Sequence, residues 1–291
     1  MELRHIRYFL AVAEAGNFTR AAAKLGIGQP PLSQQIRDLE TEVAAVLFHR
    51  VPHGAELTAA GLAFLPHARA AIAASEAARL AAQRAARGET GRLSLGFTAS
   101  SAFNPTVTGA IRQFRSTWPE VALSLSEMNS DGLMLKLVRG EIDAAFIRPG
   151  LEDPKEVRLK RLPDEPMLAA LPSSHPLARH DRVRLGDLAG EPFVLFPRTV
   201  GLSLYDDIVQ ACREAGFELL VSQEAPQIPS VVNLVAAGMG VSVVPASISK
   251  IAVEGVAYRP LEQVSPLIAR LGLAMLKGQR SPIALNLMNL L

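Results

Sequence analysis

The chain has 291 residues, 49% of them hydrophobic, and a formal net charge of only +2. That length allows two or three domains, each with its own core. The single cysteine, Cys212, excludes a disulfide framework and a multi-cysteine metal cluster, and the near-neutral balance by itself gives no support for a polyanionic partner. The start "MELRHIRYFLAVAEAG" is charged throughout and lacks the apolar core and cleavage site of a signal peptide. No apolar run reaches the ~18 residues of a membrane span, so a cytoplasmic protein without membrane contact is expected.

The first helix is expected from Glu2 to about Ala15, where Leu3, Ile6, Phe9, Leu10 and Ala13 recur at three- and four-residue spacing. Gly16 stops it, and Asn17 or Thr19 caps a short second helix that turns Ala21, Ala22 and Leu25 inward and ends at Gly26. Pro30 and Pro31 then mark a start, because the first-turn N–H groups of a helix have no intrahelical acceptor. Behind them Leu32, Ile36, Leu39 and Val43 make an apolar stripe, with Gln29, Ser33, Gln34 and Arg37 on or near the opposite side. Two small helices, a turn and a third helix with a polar outer face fit a helix-turn-helix whose last helix enters the major groove. Gln and Arg offer paired groups to base edges, and Ser and Thr meet bases or phosphates. For a lone helix a solvated face is the simpler reading. Against it stands "LFHRVPHGAELTAAG", a two-stranded wing with Pro52-His53-Gly54 at its tip, from which Arg50 and His53 reach phosphates.

Residues 2 to 61 resemble the winged helix-turn-helix of LysR-type transcriptional regulators, through "LRHIRYFLAVAEAGNFTRAAAKLGIGQPPLSQQIRDLE" and "LFHR…LTAAG". The resemblance implies double-stranded DNA as partner, with Gln29, Pro30, Pro31, Ser33 and Arg37 at or near the contact and Thr19 and Arg20 close to the backbone. Three departures stand out. Gly28 replaces the usual Ser or Thr cap, Gln34 stands where the family often has Arg, and "EVAAVLF" lacks the glycine of the common Glu-Leu-Gly-Val pattern. They are expected to tune affinity, not to abolish binding.

Thr58 is a good N-cap for a long alanine-rich helix running to Arg87, with Pro66 early in it as a kink or a delay. Leu62, Leu65, Ala68 and Ile72 form an apolar seam with no core of its own, which needs a partner. A rigid spacer is one reading. A dimerisation helix, as in the resembling family, is the other, and it implies a homodimer or homotetramer on a pseudo-palindromic site.

Beyond Gly91 strands alternate with helices, which indicates a parallel sheet in an α/β domain. "RLSLGFT", "VALSLSE", "DAAFIRP", "MLAALP", "FVLF", "ELLVS", "GVSVVP" and "RLGLAML" read as strands. Helices are expected after Asn104-Pro105, near Gly132–Arg139, over Leu202–Ala215 and Ser230–Ala237, and from Ser281. "GEIDAAFIRPG", "SSHPLA", "LVAAGMGVSVVP" and "LGLAMLKGQRSP" look like the effector domain of LysR-type regulators, which is similar to two-lobed periplasmic binding proteins. The expected organisation is a winged helix-turn-helix over 1–58, a linker helix over 59–90, and an α/β effector domain over 91–291. Lobe one would be 91–162 with 267–291, lobe two 163–266, with a hinge near Leu162 and Pro266.

In such folds ligands sit beyond strand ends, where helix N-termini present N–H groups. That places Ser100, Ser101, Asn129, Ser130 and Arg148 at the site, with Phe196, Pro197, Arg198 and Thr199 after "FVLF". Hydroxyls, a helix dipole and an arginine make a carboxylate clamp, although a cap or turn is an equal reading for any one serine. An arginine ending an apolar strand ahead of Pro-Gly needs a partner for its charge. The arrangement looks closest to the subgroup controlling catechol, chlorocatechol and benzoate breakdown, where Ser100, Ser130 and Arg148 match positions that hold muconate-like dicarboxylates. The resemblance thus implies a small carboxylated effector, activation through altered DNA bending, and RNA polymerase as a further partner.

An enzyme is the competing class. There is no Gly-x-Ser-x-Gly elbow, no His-Glu-x-x-His and no P-loop, and "GMGVSV" precedes a strand and does not open a helix. Neither a cofactor nor a metal is expected, and Cys212 reads as a packed thiol.

Overall fold

The computed structural model describes the whole chain except residues 53, 151–154 and 263–265. The expected wing-tip residue His53 lies outside the described residues. The chain divides into two compact units, Met1–Arg84 and Ala85–Leu291.

In the first unit, α1 (Leu3–Ala15) ends at Gly16 in the left-handed region, and α2 (Phe18–Leu25) starts where the Asn17 side chain accepts the Arg20 N–H. Next comes α3 (Gln29–Glu42), with the two prolines in its first turn. Strands β1 (Phe48–Val51) and β2 (Gly54–Leu57) pair antiparallel as the wing. The core gathers Ile6, Phe9, Val12, Ala21, Ala22, Leu32, Ile36, Leu39, Leu47 and Phe48. Leu3, expected inward, is instead 41% exposed, because the buried line of α1 runs through Ile6, Phe9 and Val12.

Helix α4 (Ala59–Ala86) starts at Thr58, whose hydroxyl accepts the Gly61 N–H, and contains Pro66 without interruption. Its first half joins the core: the Phe64 ring meets Phe9 edge-on at 4.9 Å, and Ala68 is fully buried. Leu62, assigned to the apolar seam, is 60% exposed, and Leu80 further along is 45% exposed. The seam therefore splits, with Leu65, Ala68 and Ile72 toward the core and Leu62 away from it.

In the second unit, β3 (Gly91–Phe97) lies parallel to β4 (Val121–Glu127) and to β5 (Ala144–Ile147). Between them run α5 (Pro105–Thr117), capped by Asn104, and α6 (Ser130–Val138), capped by Asn129. The long strand β6 (Val157–Pro172) then crosses to a second core. There follow β7 (Val183–Arg184), β8 (Phe193–Leu195), α7 (Leu202–Glu214), β9 (Val221–Glu224), α8 (Ile228–Ala236), β10 (Ser242–Pro245) and β11 (Val256–Glu262), before β12 (Ile268–Leu276) returns and α9 (Pro282–Leu290) closes the chain.

The sheet is mixed, not parallel as expected. β12 runs antiparallel to β5 and β6, and β10 and β11 run antiparallel to β6. The reason is that β6 and β12 cross the unit in opposite directions and pair with each other along Val157–Pro166. One apolar core holds Leu93, Leu95, Phe114, Phe146, Leu162 and Leu271; the other holds Met167, Phe193, Ile208, Val243 and Ala269. Each core defines a lobe. Both crossing strands change lobes over a few residues, between Leu162 and Met167 and between Ala269 and Leu271, where the β6–β12 register slips.

Candidate functional site

Pro30 and Pro31 are exposed in the first turn of α3, and Gly28 supplies no side-chain cap. Gln34 and Arg37 face solvent, but Ser33 does not: it is 4% exposed. Its hydroxyl accepts a hydrogen bond from Gln29 Nε2 at 2.9 Å, so Ser33 orients Gln29 from below and is not part of the outer face. The outer face is internally bonded. Arg37 Nη2 donates to Gln34 Oε1 at 2.8 Å, and Gln34 Nε2 donates to Asp38 Oδ1 at 2.8 Å.

Around this helix, Thr19 and Arg20 are exposed at the start of α2, where Arg20 Nη2 donates to the Ala15 carbonyl. The Arg50 guanidinium lies over the Phe18 ring, 5.1 Å from its centre, which ties the wing to α2 by a cation–π contact. Glu40 Oε1 accepts the Leu47 and Phe48 N–H groups and fixes the wing to α3.

In the second unit a cavity of about 350 Å³ lies between the lobes, lined by Thr98, Ser100, Glu127, Asn129, Ser130 and Arg148 on one side and by Val200, Gly201, Leu204 and Pro226–Ile228 on the other. A second cavity of about 150 Å³ adjoins it, sharing Asn129, Ser130, Arg148 and Val200 and reaching Thr199 and Ser203. Three helices begin at the larger cavity: α6 behind Asn129, α7 behind Gly201 and α8 behind Gln227, and the last two lack a side-chain cap. Free first-turn N–H groups and the positive ends of the helix dipoles are there for an anion. Across the mouth, Asn129 Nδ2 donates to the Thr199 carbonyl at 2.9 Å and Ser203 Oγ to the Arg148 carbonyl at 3.3 Å, so the two lobes are bridged.

Arg148 does line the cavity, but the charge expected to await a ligand already has a partner. Arg148 is 6% exposed, and its guanidinium makes five hydrogen bonds: Nε to Ser100 Oγ, Nη1 to the Ala269 and Arg270 carbonyls, and Nη2 to the Ser100 carbonyl and to Glu165 Oε1. A guanidinium has five donors, so none remains for a ligand. Glu165, on β6, also accepts from Asn104 Nδ2 and the Ser247 N–H. Burial pushes the Glu165 carboxyl up, but the Arg148 charge and the hydrogen bonds from Arg148, Asn104 and Ser247 outweigh it and hold the carboxyl below the usual range. Burial likewise lowers the Arg148 value against the pull of Glu165. Arg148 thus lines the cavity as one half of a buried ion pair with Glu165.

Four further expected residues stand apart from the cavities. Ser101 is fully buried, and its hydroxyl donates to the Thr98 carbonyl within its own turn. Phe196 is 1% exposed and packs against Tyr205. Pro197 lines neither cavity, and Arg198 pairs with Asp206 at 2.7 Å. Sequence reading missed Thr98, Glu127, Gly201, Gln227 and above all Glu165; the Ile228-Pro229 helix start was a usable signal for the α8 wall. Among the described residues no cluster of metal-ligating side chains occurs, and no helix is long and apolar enough to cross a membrane. Burial pushes the Cys212 thiol up to about 12, which makes it a poor nucleophile.

A three-helix head with a two-stranded wing, followed by a two-lobed α/β unit with a cavity between its lobes, is the build of a ligand-responsive bacterial regulator. Residues 3–62 match the bacterial regulatory helix-turn-helix protein, lysR family, and residues 86–291 match the LysR substrate binding domain. The chain is 41% identical to the HTH-type transcriptional regulator BudR of Raoultella terrigena, with 97% of each chain covered, and 35% identical to the HTH-type transcriptional regulator CatR of Pseudomonas putida, covering 100% of this chain and 98% of that one. It superposes with a TM-score of 0.84 and 28% identity on full-length CbnR in complex with its target DNA, covering 100% of this chain and 98% of that one. The chain belongs to the LysR family. It is a DNA-binding transcriptional regulator with an effector-binding domain, and its relatives are regulators, not enzymes.

Proposed function

We propose that the protein works in the cytoplasm as a homodimer or homotetramer that holds a pseudo-palindromic promoter site and contacts RNA polymerase there. In this reading Gln29, Gln34 and Arg37 meet base edges in the major groove, Pro30 and Pro31 let the helix end approach closely, and Thr19, Arg20, Arg50 and His53 meet the backbone. Residues 1–58 form the reading head, 59–90 the dimerisation helix, and 91–291 the effector domain, with lobes 91–162 plus 267–291 and 163–266. The exposed Leu62 and Leu80 support a partner for α4.

The effector is a small carboxylate of the kind formed in aromatic breakdown, seated in the 350 Å³ cavity against Ser100, Asn129, Ser130 and the start of α7 near Thr199. The convergence of three helix starts on that cavity carries this reading. Leu204 and Ile228 offer the apolar wall that a ring needs. The effector shifts the equilibrium between lobe arrangements only by its differential affinity for them, and lobe packing sets the spacing of the DNA heads. A footprint on the intergenic region beside the chain's own gene, with and without pooled aromatic acids, tests both halves. Protection that is absent, or present but indifferent to every acid, removes the first or the second.

A further inference from the structure

We infer that the cavity selects a monocarboxylate and rejects the corresponding dicarboxylate. This rests on the carboxylate reading above and narrows it. The charges around the cavity decide the matter. Among the described residues, Arg148 is the only cationic side chain on the lining and Glu127 the only anionic one. Arg148 is bound at 2.5 Å to Glu165 directly behind it, and all of its N–H groups are directed to protein acceptors. Counting the pair as neutral leaves Glu127 as the uncompensated charge, so the cavity presents no net positive charge to a ligand.

One carboxylate still finds donors. Ser100 is 3% exposed, and its hydroxyl accepts from Arg148, so its own proton has no acceptor among the described residues. Thr98, 6% exposed, is in the same position, accepting from the Ser101 N–H. With the open helix starts of α7 and α8 these groups solvate a single anionic end. A second carboxylate would be taken from water toward Glu127 and the apolar side chains of Leu204 and Ile228, and a buried charge without a partner is expensive.

Calorimetry on the full chain with matched pairs tests this: benzoate against phthalate, and monomethyl muconate against muconate. The expected result is binding of the monocarboxylate members, with their partners at least tenfold weaker at neutral pH. Glu165→Gln keeps the side-chain shape and releases the Arg148 charge, so the preference should narrow to below threefold. Glu127→Gln, at an exposed strand end, removes the opposing charge without touching the hinge and should narrow it as well. A dicarboxylate that binds as tightly as its partner overturns the inference and leaves the carboxylate effector standing. A preference unchanged in both variants also overturns it, since charge would then not be the discriminator. No binding by any acid removes the carboxylate reading and the inference together.

Discussion

Arg148 Nη2 and Glu165 Oε1 stand 2.5 Å apart, joining the end of β5 to the stretch of β6 where the chain passes from one lobe to the other. Glu165 pairs in register with Ala269, whose carbonyl is itself an acceptor for Arg148. The pair therefore ties three strands together beneath the cavity, and Asn104 and Ser247 bring a group from each lobe to the same carboxylate. The pair sits where both strands cross between the lobes, and it sets the charge balance on that side of the cavity.

Removing one partner of such a pair should be costly. Glu165→Ala leaves the Arg148 guanidinium buried without a counter-charge and should destabilise the effector unit by about 3–5 kcal/mol, read from urea unfolding of the full chain. The pH dependence follows from the lowered Glu165 value. A depressed carboxyl contributes stability that is fully present above the ordinary unfolded value, near ~4.3, and that is lost as pH falls through the lower folded value. Melting temperature against pH should thus fall more steeply below about pH 4 in the wild type than in Glu165→Gln. Parallel acid limbs would show that the ionised pair contributes nothing to folding.

On the reading helix, Arg37→Ala and Gln34→Ala should each weaken specific binding by about 1–3 kcal/mol and relax base preference at one position of the site. Arg50→Ala should instead weaken binding evenly across sequences and reduce the salt slope by about 1. Competitive gel shifts over a salt series separate the two patterns. An identical loss on specific and random duplex for Arg37→Ala would move that residue to the backbone.

Ala44, where the resembling family carries glycine, sits at φ 53°, the one non-glycine residue with positive φ among those described. A side chain there costs ~1–2 kcal/mol that glycine avoids, and glycine gives back part of this through a freer unfolded chain. Ala44→Gly should therefore stabilise the N-terminal unit by roughly 0.5–1 kcal/mol. A lower melting temperature in the variant would contradict the strain.

Leu62 and Leu80 are two of the larger apolar side chains left exposed, at 60% and 45%. If they meet a second α4, Leu62→Glu with Leu80→Glu should raise the dimer dissociation constant at least tenfold in sedimentation equilibrium without lowering the monomer melting temperature. An unchanged mass distribution would place the dimer contact elsewhere.

The reading head was legible because its punctuation is local. Gly16, Asn17, Gly26 and the Pro30-Pro31 pair each fix a helix end through backbone sterics or one hydrogen bond within a few residues. The same holds for Asn104-Pro105 and for the alternating strands β3 and β4. Ser33 was misplaced because it lies at the border of the stripe, where one polar atom tips a residue inward once Gln29 bonds to it.

The first half of β6, "VRLKRLPDEP", carries charges and two prolines and gives no strand signal, yet it is a strand because β12 supplies its hydrogen bonds from more than a hundred residues away. Sequence by itself determined the family and most of the helix ends in the N-terminal unit, since those depend on short-range periodicity and caps. Only the tertiary structure decided that the Arg148 charge is answered by Glu165 and not held for a ligand. The two residues are brought together by strands crossing between lobes, and the balance of charge around a cavity depends on distances that no local pattern encodes.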